Sequence, residues 1–310
     1  MGAIRIGTCS WADESFVKVW YPRGMRSGEE RLRYYADHFD VVEANSTYYR
    51  LPDESTVANW AERLPPGFVM HVKAFGLMTR HPVKVEALPD DLREAAEVDE
   101  RGRVDHPSQE LRAEVFRRFL AALEPLRAAG SLGGILMQFP PYVVPKAASY
   151  EYLEWAQEQL AGHELLVEFR HRSWFEQAAE TLSFLESRGM TYVTVDAPQA
   201  VIPLVVARTT GTAYVRFHGR NEATWFKRTG SAADRFDYLY SDDELAEWAG
   251  TLRELAGEAD TVYAMFNNNG RSFPPDAPRN LLGEPEGDEV AQAPTNAATL
   301  LELLSETGAG

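Results

Sequence analysis

Eight apolar, strand-like runs recur along the chain, at 4–10, 41–48, 68–75, 133–139, 164–170, 191–196, 212–218 and 261–267. Helical periodicity predicts helices between and after them, over 28–39, 55–64, 109–129, 149–161, 176–188, 241–257 and 295–306. A strand and a crossover repeated eight times predict an α/β fold, a TIM-like (β/α)8 barrel closed by parallel strands. In such a barrel the loops that carry chemistry lie at the strand C-termini. With 310 residues, 45% of them hydrophobic, the chain can bury one large core, and a single domain over 1–310 is the expectation.

Local signals support these boundaries. Ser27 with Glu30, and Ser241 with Glu244, have capping-box spacing, and Leu32, Tyr35, Ala36 and Phe39 make a helical stripe. The stretch 199–211 is apolar but irregular, so the sixth helix is expected to be short or replaced. Residues 76–108, with Pro82, Pro89 and Pro107, and residues 270–294, rich in Pro, Gly and acids, read as long loop insertions after strands 3 and 8.

Polar residues two apart end several of the strand runs. Alternate strand residues share a face, so Glu43 with Asn45, Glu168 with Arg170, and Arg216 with His218 each point one way. The opposite faces carry Val42, Val167, Val215 and Phe217, which suit packing beneath helices. His71, Lys73, Gln138, Asp196 and Asn267 complete the inward-facing set, with Arg220 at or beyond a strand end. Seven strands thus aim ionisable or amide groups at one mouth.

The residue types suggest roles. Glu43 and Glu168 are candidates for general acid and base, since neighbouring charge can separate two carboxyl pKa values. Their separation would distinguish retaining from inverting glycosidase geometry. Asp196 and His218 join them as catalytic candidates, His218 as a proton shuttle. Lys73, Arg170, Arg216 and Arg220 are expected to hold an anion, because guanidinium forks match carboxylate and phosphate. Asn45, Gln138 and Asn267 would hydrogen-bond a ligand. Trp11, Tyr48 and Trp174, with Tyr49, Phe139 and Trp225 nearby in strand-end positions, would stack on a sugar or nucleobase. The competing account is a buried ionic network filling the barrel, with Glu43 paired to Lys73 and Glu168 to Arg170 or Arg216.

Forty-seven acidic against 31 basic residues give a net charge of −16, which makes extended duplex DNA a poor partner and leaves a small anionic ligand in a local basic site as the expected one. The N-terminus lacks a basic region followed by a long apolar stretch, and no run approaches the ~18 apolar residues of a membrane span, so a cytoplasmic protein with no membrane partner is expected. Cys9 is the only cysteine, which excludes an internal disulfide and reads as a small buried residue. Walker, GxGxxG and GxSxG signatures are absent, and no cofactor is assigned. Glu43, Glu168, Asp196 and His218 could hold a divalent metal, with His71, His81 and His171 as further ligands, but the cations sharing the cavity oppose it and no metal ligand is assigned. Oligomeric state is left open.

The same residues resemble the YecE-like family, also called domain of unknown function 72. The matching pieces are GTCSW (7–11), WYP (20–22), VEANSTYY (42–49), FVMHVKAF (68–75), ILMQFPP (135–141), VEFRHRSW (167–174), VTVDAP (193–198), YVRFHGR (214–220), YSDDEL (240–245) and FNNN (266–269). The resemblance implies a TIM-barrel-like fold and brings no established activity. Two departures stand out. A threonine–histidine pair after strand 3 is interrupted as Thr79-Arg80-His81, which weakens a role for His81, and the 270–294 insert is longer than the pattern needs.

The leading expectation is a hydrolase- or lyase-type enzyme acting by acid/base chemistry on a small anionic, sugar-like or nucleotide-like substrate at the strand C-terminal face. The alternatives are a metal-dependent phosphodiesterase or nucleic-acid-processing enzyme, and a non-catalytic barrel that binds a nucleotide or single-stranded nucleic acid.

Overall fold

The computed structural model describes residues 1–225, 235–280 and 282–306. Eight parallel strands close a barrel in sequence order: β1 (Ala3–Thr8), β2 (Val41–Ala44), β3 (Val69–Lys73), β4 (Leu132–Gln138), β5 (Leu165–Glu168), β6 (Thr191–Asp196), β7 (Thr212–Phe217) and β8 (Thr261–Phe266), with β8 pairing back onto β1. Around it lie α1 (Gly28–Ala36), α2 (Glu54–Ala61), α3 (Gln109–Ala128), α4 (Ala147–Gln159), α5 (Ala178–Arg188), α6 (Asp242–Glu258) and α7 (Gln292–Glu306). This is a single-domain TIM-type barrel. Both expected capping boxes form, so Ser27 and Ser241 satisfy backbone donors at the starts of α1 and α6.

Strand alternation sorts the charges from the core. Val42, Val167, Val215 and Phe217 are buried on the outer face; Phe217 stacks on Phe266 at 4.4 Å and meets Trp248 of α6 edge-on at 5.0 Å. Burial of each such side chain contributes about 1.5–3 kcal/mol. The parallel register places Glu43 beside His71, Gln138 beside Glu168, and Arg216 between Val195 and Met265, all facing inward.

His71 lies edge-on to Tyr214 and Tyr263 at 4.9 and 4.3 Å, and its Nδ1 accepts from the Gly134 amide at 2.8 Å. A Cβ on Gly133 would stand 2.6 Å from that nitrogen, so only glycine leaves room for the imidazole. Burial pushes the His71 pKa down to about 3, which keeps the ring neutral.

No helix forms in 199–211, as expected; turns and irregular chain cover β6 there, with Thr209 Oγ1 accepting from the Tyr192 amide. The 76–108 insertion is more ordered than its composition suggests. It contains an antiparallel ribbon of Val83–Lys84 with Arg103–Val104, and Leu77, Met78, Leu88, Leu92 and Val104 are buried against the barrel. The 270–294 insertion opens and closes with a second ribbon, Arg271–Ser272 with Val290–Ala291.

Candidate functional site

A buried ionic plug closes the barrel beneath its C-terminal mouth. Arg216 is fully buried; its Nη2 and Nε donate to Glu43 Oε1 and Oε2 at 2.6 and 3.1 Å, and its Nη1 donates to Glu168 Oε2 at 2.5 Å. Tyr214, one turn of alternation lower on β7, donates its hydroxyl to Glu43 Oε2 at 2.9 Å. Such a cluster is tolerable in a low-dielectric interior only because nearly every lone pair and N–H is used. Burial works against the Arg216 charge, yet Glu43 and Glu168 outweigh it and hold its pKa well above the usual range.

Glu168 gathers the most donors. Its Oε1 accepts from Gln138 Nε2 at 2.8 Å and from Arg170 Nε, and lies 3.2 Å from His218 Nε2. Burial would raise its pKa, but Arg170, Arg216 and His218 reverse the sign and keep the carboxylate ionised well below its ordinary range. One guanidinium separates Glu43 from Glu168, so the gap that a glycosidic bond or a water would occupy between two catalytic carboxyls is filled.

His218 has polar partners on both ring nitrogens. Asn45 Nδ2 donates to the Cys9 carbonyl at 2.7 Å, which orients that amide, and the same nitrogen faces Asn267 Oδ1 at 3.4 Å. Asn267 turns its Nδ2 towards His218 Nδ1 at 2.9 Å, while Arg170 Nη2 and Arg216 Nη1, which can only donate, stand 3.0 and 3.3 Å from His218 Nε2, itself 3.2 Å from Glu168 Oε1. Burial, then Arg170, lowers the His218 pKa to about 3. The ring is neutral, and its Nε2 sits among Glu168, Arg170 and Arg216.

Above the plug, five polar side chains reach the mouth: Asn45, Lys73, Gln138, Arg170 and Asn267, with the Arg170 side chain 14% exposed. Lys73 Nζ donates to Gln138 Oε1 at 3.0 Å and stands 4.5 Å from the centroid of the Tyr48 ring. It is not the partner of Glu43; that carboxylate reaches across the barrel to β7 instead. Tyr48 also meets His81 edge-on at 5.2 Å.

Arg80 adopts a left-handed backbone, φ 64°, which lets the flanking side chains meet: Thr79 Oγ1 and His81 Nδ1 are 2.8 Å apart. The extra residue thus leaves the threonine–histidine contact intact. Burial, then Lys73 and Arg170, lowers the His81 pKa to about 4.

Several expected site residues lie elsewhere. Asp196 faces outward, because its neighbour Val195 is the register partner of inward-facing Arg216. Its carboxylate accepts from Trp248 Nε1 at 2.5 Å and from Arg220 Nε and Nη2 at 2.9 and 2.7 Å, while Arg220 Nη1 donates to Glu244 at 2.8 Å. Asp196 and Arg220 are therefore corrected to a separate cluster binding β6 to α6. Trp174 is corrected to the outer core, stacked on Phe169 at 3.9 Å with its Nε1 donating to the Val143 carbonyl. Phe139 belongs to the same stack, 6.1 Å from Phe169. Trp11 is buried and packs edge-on against Trp60 of α2 at 5.3 Å.

Tyr214 and Phe236 were not foreseen. The spacing of Tyr214, Arg216 and His218 carries the signal for the first; Phe236, 5.5 Å from His218 and 5.9 Å from Trp225, has no local pattern in the sequence. Cys9 is buried next to the plug, where burial, then Glu43, raises its thiol pKa well above normal and keeps it protonated.

Asp196 leaves the proposed metal set, and Glu43 and Glu168 present their oxygens to a guanidinium. Among the described residues no group of three or more His, Cys, Asp or Glu could hold a metal ion. No helix among them is long and apolar enough to cross a membrane.

Comparison with known proteins agrees with the barrel. The chain is 31% identical over 288 residues to the UPF0759 protein YunF of Bacillus subtilis (strain 168), covering 90% of this chain and 93% of that protein. A DUF72 family protein from Thermotoga maritima MSB8 is 30% identical with a TM-score of 0.73, covering 98% of this chain and 99% of that one. A DUF72 family protein from Enterococcus faecalis V583 shares the fold at 23% identity, with a TM-score of 0.75 over 97% of this chain and 95% of that one. The family model for protein of unknown function DUF72 matches residues 5–300, and the chain belongs to that family.

Proposed function

We propose that the protein is an enzyme acting by acid/base chemistry on a small anionic molecule, sugar-like or nucleotide-like, bound at the strand C-terminal mouth. The observation that carries this reading is the charge balance of the cluster. Among the described residues, Arg170, Arg216 and Lys73 face Glu43 and Glu168, three cations against two carboxylates, and the surplus lies at the rim with Arg170 and Lys73. A local positive surplus on a chain of net charge −16 is a site for an anion.

The geometry divides the labour. Glu43 holds Arg216, and Arg216 with Arg170 keeps Glu168 ionised. Asn45 and Asn267 offer amide groups to a ligand's hydroxyls, Gln138 holds Lys73, and Tyr48 and Trp225 supply ring faces. Glu168 is the base once a ligand anion draws Arg170 away from it; Lys73 and His218 are the nearest groups able to move a proton.

Thermal-shift screening with phosphorylated sugars and nucleotides beside their uncharged counterparts tests the reading. Stabilisation by the anionic members, lost in Arg170→Ala, is expected; equal response to charged and neutral members would refute it. A non-catalytic nucleotide-binding barrel is the second reading, favoured by the complete pairing of Glu43 and Glu168 with arginine. Binding of a nucleotide without any conversion of it would select that reading.

A further inference from the structure

Lys73 is an unusual cation for a plug built of ion pairs. Every arginine in the cluster meets a carboxylate, whereas Lys73 Nζ donates to a neutral amide oxygen, and no ion pair joins it to a carboxylate among the described residues. That amide cannot turn round. Gln138 Nε2 is committed to the acceptor-only Glu168 carboxylate at 2.8 Å, so Oε1 faces Lys73 and takes one N–H. The amine is thereby held at the rim above the Tyr48 ring, between the amide and the mouth.

We propose that Lys73 forms an imine with the carbonyl carbon of an anionic aldehyde or ketone bound at the mouth. This rests on the anion-binding reading and adds a covalent step to it. The nitrogen lone pair attacks the carbonyl carbon and the C=O π electrons move to oxygen. As the C=N bond forms, the C–O bond breaks, and the oxygen leaves as water with the two hydrogens the amine gives up. The imine then withdraws electrons from the neighbouring carbon, the service that an active-site lysine supplies in covalent catalysis. Gln138 is a positioning residue here, since it holds the amine without touching the substrate.

Burial, then the charge of Arg216, lowers the Lys73 pKa to about 8, with Glu43 and Glu168 pulling the other way. Near pH 8 about half of this amine is free, against under ~1% for a lysine of ordinary pKa. Arg170, at the same rim, is the partner for the anionic group of the carbonyl compound.

Pyridoxal 5′-phosphate, an aldehyde carrying a phosphate, is the probe, with free pyridoxal beside it. The full-length protein is incubated with each, reduced with borohydride and mapped by mass spectrometry; the chain has five lysines, so the assignment is direct. The expected result is one adduct on Lys73, half-maximal near pH 8, formed at least tenfold faster than any adduct on Lys18, Lys84 or Lys146, and absent in a folded Lys73→Arg variant. Gln138→Leu should slow the reaction severalfold while the thermal transition stays in place. Arg170→Ala should keep the Lys73 adduct with free pyridoxal and lose the preference for the phosphorylated probe. Labelling of Lys73 no faster than the surface lysines overturns the proposal. If the phosphorylated probe still raises the thermal transition in that case, the imine fails and the anion site stands.

Discussion

Arg216 holds Glu43 through two side-by-side hydrogen bonds across the barrel, from β7 to β2, with neither side chain exposed. Removing one member of such a pair leaves a buried charge without its counter-ion, and the loss is far larger than the net worth of the pair. Arg216→Met should therefore destabilise the fold by about 3–5 kcal/mol. The double variant Glu43→Gln with Arg216→Met should lose less than the sum of the two single variants. Urea titration of the four proteins measures both, and additive losses would show that the pair is not coupled.

Acid should weaken the fold in a defined window. His71 and His218 have pKa values near 3 when folded and near 6.5 when unfolded, so between those limits the unfolded chain holds more protons and stability falls as pH falls. Each ring contributes a slope of about 1.4 kcal/mol per pH unit there, and none above 6.5, where both states are neutral. His71→Gln, which keeps an acceptor for the Gly134 amide, should remove one ring's share of the slope. Unfolding curves at several pH values between 4 and 7 decide this; an unchanged slope would mean that His71 titrates normally.

Histidine labelled with ¹⁵N should report His218 as a neutral ring. Asn267→Asp sets a negatively charged acceptor beside Nδ1, so a hydrogen should be held on Nδ1 and the pKa should rise from about 3. Ring nitrogen shifts that stay the same in the variant would remove Asn267 from the chain of contacts.

Gly133→Ala should cost about 1–3 kcal/mol, the range for overpacking, because its methyl would press on His71 Nδ1 and on Val69 Cγ1 at 2.7 Å. Equilibrium unfolding gives the number. A neutral outcome would show that β4 can shift away from the imidazole.

Asp196→Ala should lower stability by about 2–3 kcal/mol through its lost bonds to Arg220 and Trp248, yet leave anion binding at the mouth unchanged. Weaker binding with an intact fold would return Asp196 to the site.

The eight-strand pattern and its charged ends were legible because alternation is unambiguous where polar and apolar residues take turns, as in Tyr214–Val215–Arg216–Phe217–His218. It failed at Asp196. Tyr192, Val193, Thr194 and Val195 are all buried, so that run carries no sign of which face is inside. Strand ends were also overrun: β2 stops at Ala44, and residues 46–48 form a 3₁₀ turn because Thr47 Oγ1 bonds the Ala44 and Lys73 carbonyls. Pairings were the least legible part. The ionic-network account pairs Glu168 correctly with Arg170 and Arg216 but gives Glu43 to Lys73 of the neighbouring strand, whereas its partner lies on the far side of a closed cylinder, a proximity that no local spacing encodes.

The interlocked carboxylates and guanidiniums stop the barrel like a cork. Traffic from the opposite end meets Tyr214, His71 and Tyr263 and goes no further. For the proposed enzyme this leaves one doorway, so a departing product and an incoming reactant would compete for one route, and each round would have to empty before the next begins.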